Sequence, residues 1–133
     1  MAIEFTVSKM IPASPQAIYD AWLSSEGHAS ITGGLPAEAS PKVGAAYTAW
    51  DGYIAGTNLK LEPGKRIVQL WRSTDFDDSD PDSQIEVLLE AVPGGTKVTL
   101  HHTNVPDGQP DYQEGWHSHY FEPMKAYFSR IKK

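Results

Sequence analysis

The chain contains no cysteine. This excludes disulfides, thiolate metal sites and cysteine nucleophiles together, and it suits a reducing compartment, so a cytoplasmic location is expected. Basic residues are also scarce: 11 Lys and Arg stand against 17 Asp and Glu, for a formal charge of −6. A surface of that sign repels phosphate backbones, so nucleic acid is not an expected partner. The nearest thing to a basic patch, Lys125, Arg130, Lys132 and Lys133, fits the negative end of a C-terminal helix. Long apolar runs are missing too. None approaches the roughly 20 residues of a membrane span, and the opening MAIEFTVSKMIPASP lacks the apolar stretch of a secretory signal. No repeat or linker divides the 133 residues, so a single domain over 1–133 with its own core is expected.

What the chain does have is aromatic surface: four Trp, six Tyr and four Phe. It also has clear periodicity. Ile3 to Ser8 alternates apolar and polar residues, as a half-buried strand does, and Pro12 closes it. Ser14-Pro15 reads as a helix start, with Ser as N-cap and Pro at the first helical position; Ile18 and Trp22 form its stripe. Gly27 should end this helix or open a second short one near His28–Thr32, and Gly33-Gly34 is a stop.

From Val43 the period becomes two. Strands are expected at Val43–Trp50 and Tyr53–Leu61 around an Asp51-Gly52 hairpin turn, then at Arg66–Ser73, Gln84–Val92 and Thr96–Asn104. Ile67, Gln69 and Trp71 share one face, while Arg72 faces the other way, toward Glu86 or Glu90. From Asp111 to Ile131 the residues Trp116, Tyr120, Phe121, Met124, Tyr127, Phe128 and Ile131 fall on one broad helical face, with Tyr112 just off it. Pro123 should kink this helix or remove a hydrogen bond near Glu122. Hairpin-linked strands between helices mean an antiparallel sheet and an α+β fold.

Little in this pattern carries catalytic chemistry. There is no Gly-x-Ser-x-Gly elbow and no phosphate-cradling glycine loop. The acidic run at Asp78–Asp82 begins like a calcium loop. It then places Ser83 where glycine is required and Leu89 where the bidentate glutamate belongs, so it reads as a solvated loop. His117 and His119 lie about 200° apart on a helix and cannot share a metal. No metal, cofactor or catalytic residue is expected. His102 shares the face of Val98 and Leu100, where it either hydrogen-bonds a ligand or is satisfied within the core.

Two stretches resemble a known family. They are Asp51-Gly52-Tyr53-Ile54-Ala55-Gly56 with Leu61 through Trp71-Arg72, and Gly115-Trp116-His117-Ser118-His119-Tyr120-Phe121-Glu122-Pro123-Met124-Lys125. Together with the Ser14-Pro15 helix entry they are similar to the C-terminal-domain family of activators of heat shock protein 90 ATPase, over nearly the whole chain. That family belongs to the START-like (SRPBCC, Bet v-type) superfamily. The resemblance implies a helix-grip fold: a curved antiparallel sheet of about six strands wrapped around a long C-terminal helix, with one or two short helices after the first strand. It also implies a cavity between sheet and helix; Trp50, Tyr53, Trp71, Phe76, Trp116, Tyr120 and Met124, with His102, are candidate ligand contacts there, the alternative being that these rings simply fill the core.

Eukaryotic co-chaperones of this kind carry a further N-terminal docking domain, for which this chain has no room. The resemblance therefore implies a stand-alone binding domain for an apolar small molecule. Modulation of a chaperone ATPase is the alternative and a cavity enzyme the second alternative, in a monomer or homodimer.

Overall fold

A computed structural model describes residues 3–32, 34, 36–106, 108 and 112–131, without the side chains of Arg130 and Ile131. Gly33, Asp111, Lys132 and Lys133, and the side chains of Arg130 and Ile131 considered above, lie outside the described set.

The first strand, β1, runs over Ile3–Ile11 and is followed by α1 (Pro15–Trp22) and α2 (Ser25–Ile31). Ser14 caps α1 by accepting from the Ala17 amide, and Ser24 caps α2 by accepting from the Gly27 amide. The chain therefore breaks at Leu23-Ser24, and Gly27 lies inside α2 rather than ending a helix. The reason is packing. A Cβ at Gly27 would stand 2.7 Å from the Ala21 Cα, so glycine lets the second helix fold directly onto the first.

Five strands follow: β2 (Ala46–Ala49), β3 (Ile54–Glu62), β4 (Arg66–Ser73), β5 (Ser83–Val92) and β6 (Gly95–Val105). They form a meander, and β1 joins beside β6 in the order β1-β6-β5-β4-β3-β2, every pair antiparallel. β2 is shorter than its apolar pattern suggests, and Val43 is exposed outside it. Asn58 on β3 explains this: its Nδ2 donates to the carbonyls of Ser40 and Lys42, which curls the chain before the ladder begins.

The hairpin connection is also wider than two residues. Ala49 pairs with Ile54, and Trp50, Asp51 and Gly52 all adopt positive φ, at 55°, 55° and 90°.

One face of the sheet carries Val7, Ile11, Ile54, Ile67, Trp71, Ile85, Val87, Val98 and Leu100, all buried. Against this core lie α1, α2 and the C-terminal helix, whose Trp116, Tyr120, Phe121, Met124 and Phe128 are buried while Glu114, Ser118, Glu122, Lys125 and Ser129 are exposed. This is the helix-grip architecture.

The last helix is not uniform. An α-helical turn, α3 (Tyr112–Trp116), passes through a π-helical turn at His117–Phe121 into α4 (Glu122–Ile131). The Glu122 amide reaches back five residues to the His117 carbonyl, and Pro123 follows with no amide to donate. In a regular α-helix each i+4 step drifts about 40° around the axis. The extra residue of the π turn offsets that drift and brings Tyr112 onto the buried face, which a pure 100° wheel misses.

Arg72 points to the outer face, but it does not meet Glu86 or Glu90. It binds the Asp82 carboxylate at 2.7 Å and the carbonyls of Asp77 and Asp80, so it holds the acidic loop in place. Glu86 is taken by Arg66 instead. The cause is register: Trp71 pairs with Ser83, which leaves Arg72 level with the loop and four residues along β4 from Val68, the partner of Glu86.

Candidate functional site: a ring-lined cavity

A cavity of about 340 Å³ opens between the concave sheet face and the last helix. Ile54, Trp71, Tyr112, Trp116 and Tyr120 are its buried wall. Trp50, Tyr53, Gly115 and His119 are its more exposed rim. Five of the eight residues expected at such a cavity therefore come together: Trp50, Tyr53, Trp71, Trp116 and Tyr120. The other three do not reach the wall. Phe76 is buried against Trp71 from the loop side, with ring centroids 6.0 Å apart. Met124 is fully buried one helical turn beyond Tyr120. His102 lies behind the wall, its ring 4.7 Å from Trp71 and 5.9 Å from Trp116.

His102 is satisfied on both nitrogens. The Trp116 indole can only donate, so Nδ1 of His102 accepts from it at 3.1 Å and Nε2 carries the proton toward Ser83 Oγ at 2.8 Å. Ser83 then donates to the Trp71 carbonyl at 2.6 Å. Burial pushes the imidazole down to about 3, so it is neutral.

A second buried histidine, His28, supports Tyr120. Its Nδ1 donates to the Trp22 carbonyl at 2.8 Å, which leaves Nε2 to accept the Tyr120 hydroxyl at 2.7 Å. Desolvation lowers this imidazole to about 4 and raises the Tyr120 phenol well above its ordinary value. The second wall hydroxyl, that of Tyr112, pairs with Ser73 at 2.6 Å. Tyr53 at the rim donates to Asp75.

Sequence reasoning missed His28, Ser73 and Ser83. It also drew nothing from Gln69, which receives the Trp22 indole at 3.1 Å and passes on to Asn58 at 2.8 Å. Gln69 had a signal: it stands between Ile67 and Trp71 on the core face of β4, where a polar residue needs a partner.

The rim is strained. A tryptophan at positive φ costs on the order of 1–3 kcal/mol. The Asp51 amide holds the turn by donating to Pro36, and the Trp50 ring meets the His119 edge at 4.8 Å. Among the described residues no three His, Asp or Glu cluster as a metal site, and no helix is long and apolar enough to cross a membrane.

A curved antiparallel sheet gripping a C-terminal helix, with a ring-lined cavity between them, defines the START-like helix-grip fold. The chain belongs to the family described as activator of Hsp90 ATPase homolog 1-like protein, whose model matches residues 12–129. An activator of 90 kDa heat shock protein ATPase homolog from Dictyostelium discoideum is 31% identical over 93 residues, covering 68% of this chain. That alignment covers only 24% of the relative's length. An HSP90 activator from Plasmodium falciparum is similar in structure, with a TM-score of 0.80 at 22% identity over 95% of this chain and 94% of that one. So is the Aha1 dimer from Colwellia psychrerythraea, with a TM-score of 0.80 at 20% identity over 98% and 99%. At these identities the structural likeness speaks for the fold.

Proposed function

We propose that this protein binds an apolar small molecule in the cavity between sheet and helix and does no chemistry on it. The observation that carries the reading is the cavity itself: about 340 Å³, walled by rings, where close packing would normally leave nothing. A cavity of roughly 150 Å³ suffices for benzene, so there is room here for more than one ring. A non-catalytic role is supported by the engagement of the two buried imidazoles behind the wall. His28 and His102 are neutral, buried and hydrogen-bonded on both nitrogens, which leaves neither as a free acid or base. The test is thermal denaturation across a panel of neutral ring compounds. A ligand at 100 times its Kd stabilises by about 2.7 kcal/mol, a readily measured rise in melting temperature. A panel of such compounds without any shift would sink the proposal.

A second reading is modulation of a chaperone ATPase, supported by the name of the Dictyostelium relative and of the family. Its test is the ATP turnover of an Hsp90-type chaperone with saturating amounts of this protein. Unchanged turnover counts decisively against it.

A further inference from the structure

The side-chain donors of the cavity's Trp and Tyr residues are spent or turned away from it. The hydroxyls of Tyr120, Tyr112 and Tyr53 are engaged with His28, Ser73 and Asp75. The Trp116 indole N–H is spent on His102. The Nε1 atoms of Trp50 and Trp71 are buried, so what these two rings offer the space is carbon. What remains is ring surface: six of the nine lining residues are Trp or Tyr. The rings are not stacked on one another. Trp71 is inclined at 77° to Tyr112 and 46° to Trp116, and Trp116 at 56° to Tyr120, with centroids 4.9, 5.8 and 4.6 Å apart. Parallel rings would make a slot for a flat molecule, whereas inclined rings make a cage around a compact one.

The face of an aromatic ring is the negative pole of its quadrupole, so a cage of rings attracts a cation. The surroundings carry the same sign. Asp75 takes the Tyr53 hydroxyl, Asp51 follows Trp50 in the rim turn, and Glu114 precedes Gly115. Among the described residues no Lys or Arg lines the cavity, and Arg72, next to Trp71 in the chain, is held on the outer face by Asp82. Resting on the reading of the cavity as a site for an apolar small molecule, we infer that its preferred occupant is a quaternary ammonium, an organic cation whose charge lies beneath a shell of methyl groups. Such a head has an apolar surface and needs no hydrogen-bond partner. An anion would enter without a counter-charge, and a primary amine would lack acceptors for its three N–H bonds. A cavity of roughly 150 Å³ holds benzene. The 340 Å³ here takes a trimethylammonium head together with one ring or a short tail.

The test uses pairs of the same shape that differ in charge: phenyltrimethylammonium with tert-butylbenzene, and choline with 3,3-dimethylbutan-1-ol. A third arm, 4-tert-butylbenzoate, carries the opposite charge. Binding to the full chain is titrated calorimetrically at constant ionic strength. The expected result is a preference of roughly tenfold or more for each cation over its neutral isostere. A second measurement repeats the titrations on protein whose tryptophans are replaced biosynthetically by 5,7-difluorotryptophan, which weakens the ring quadrupole and nearly preserves the ring's shape. Affinity for the cations should fall roughly fivefold or more, while that for tert-butylbenzene changes by less than about twofold. Equal or tighter binding of the neutral isosteres, or of the benzoate, overturns the inference and leaves the cavity reading standing. A cation preference that fluorination does not reduce overturns it too, because the charge would then be held by the carboxylates of the rim rather than by the cage. Absence of binding by cations and isosteres alike overturns the ligand-site reading itself, and this inference with it.

Discussion

The Trp116 indole donates to Nδ1 of His102 at 3.1 Å, and this one bond fixes the tautomer of a histidine on the opposite side of the grip. It joins the last helix to β6, and through Ser83 to the carbonyl of Trp71 on β4. The ring wall of the cavity is thus held by a polar chain of one defined direction. His102→Phe would keep the ring and strand two partners, the Trp116 N–H and the Ser83 hydroxyl. The expected loss is about 2–4 kcal/mol in urea denaturation. Ser83→Ala, which removes only the far end, should cost about 1–2 kcal/mol. No loss of stability in His102→Phe would show that His102 contributes by shape alone.

The two buried histidines make stability depend on pH in a definite sense. Both have folded values, about 4 for His28 and about 3 for His102, below the ordinary 6.5. Below pH 6.5 the unfolded chain therefore binds protons that the folded chain refuses, so stability rises with pH between about 4 and 6.5 and falls as the solution is acidified through that window. Two such groups give a limiting slope of about 2.7 kcal/mol per pH unit. His28→Gln should remove half of that slope, at the expense of some stability at neutral pH. A slope near zero between pH 4.5 and 6 in the unmodified protein would contradict the neutral assignment of both rings.

Gly56 tests the sheet beneath the cavity. A Cβ there would lie 1.8 Å from the Leu70 carbonyl oxygen and 2.6 Å from the Tyr47 ring, whose hydroxyl donates to the same carbonyl at 2.7 Å. Backbone cannot yield as a side-chain tip can. Gly56→Ala should therefore cost about 3 kcal/mol or more, and much of the protein should be insoluble on expression. Gly94→Ala, at a turn with open space but a φ of 88°, should cost only about 1 kcal/mol.

These cases mark what the sequence can and cannot carry. The strand faces of Ile67 and Trp71, of Ile85 and Val87, and of Val98, Leu100 and His102 follow from a period of two, because one face of each strand must be buried. The Trp116–Phe128 face of the last helix follows in the same way from a period near 3.6. Tyr112 was illegible because its position depends on a π turn, and a π turn arises from which backbone amides find partners. The pairing of Arg72 depended on register, and the length of β2 on the side chain of Asn58, a contact between residues far apart in the chain. The cavity wall was legible in its rings, Trp50, Tyr53, Trp71, Trp116 and Tyr120. Its polar supports were hidden because His28, Ser73 and Ser83 look like surface residues until the elements pack.

Gly115 offers the most direct handle on the cavity. It lies on the rim, and a Cβ built there would meet only the His119 ring edge, at 3.9 Å. It sits inside α3, where glycine is less favourable than other residues by about 1 kcal/mol. Gly115→Leu should thus gain helix propensity and bury apolar surface in space that is otherwise empty. The ligand-free variant is expected to melt about 3–5 °C higher, the equivalent of roughly 1 kcal/mol in a domain of this size. Its melting temperature should no longer respond to ring compounds that shift the unmodified protein. The two effects oppose what a damaged fold would give, since damage lowers both stability and binding. A variant that melts higher yet still responds to ligand would place the binding site elsewhere on the molecule.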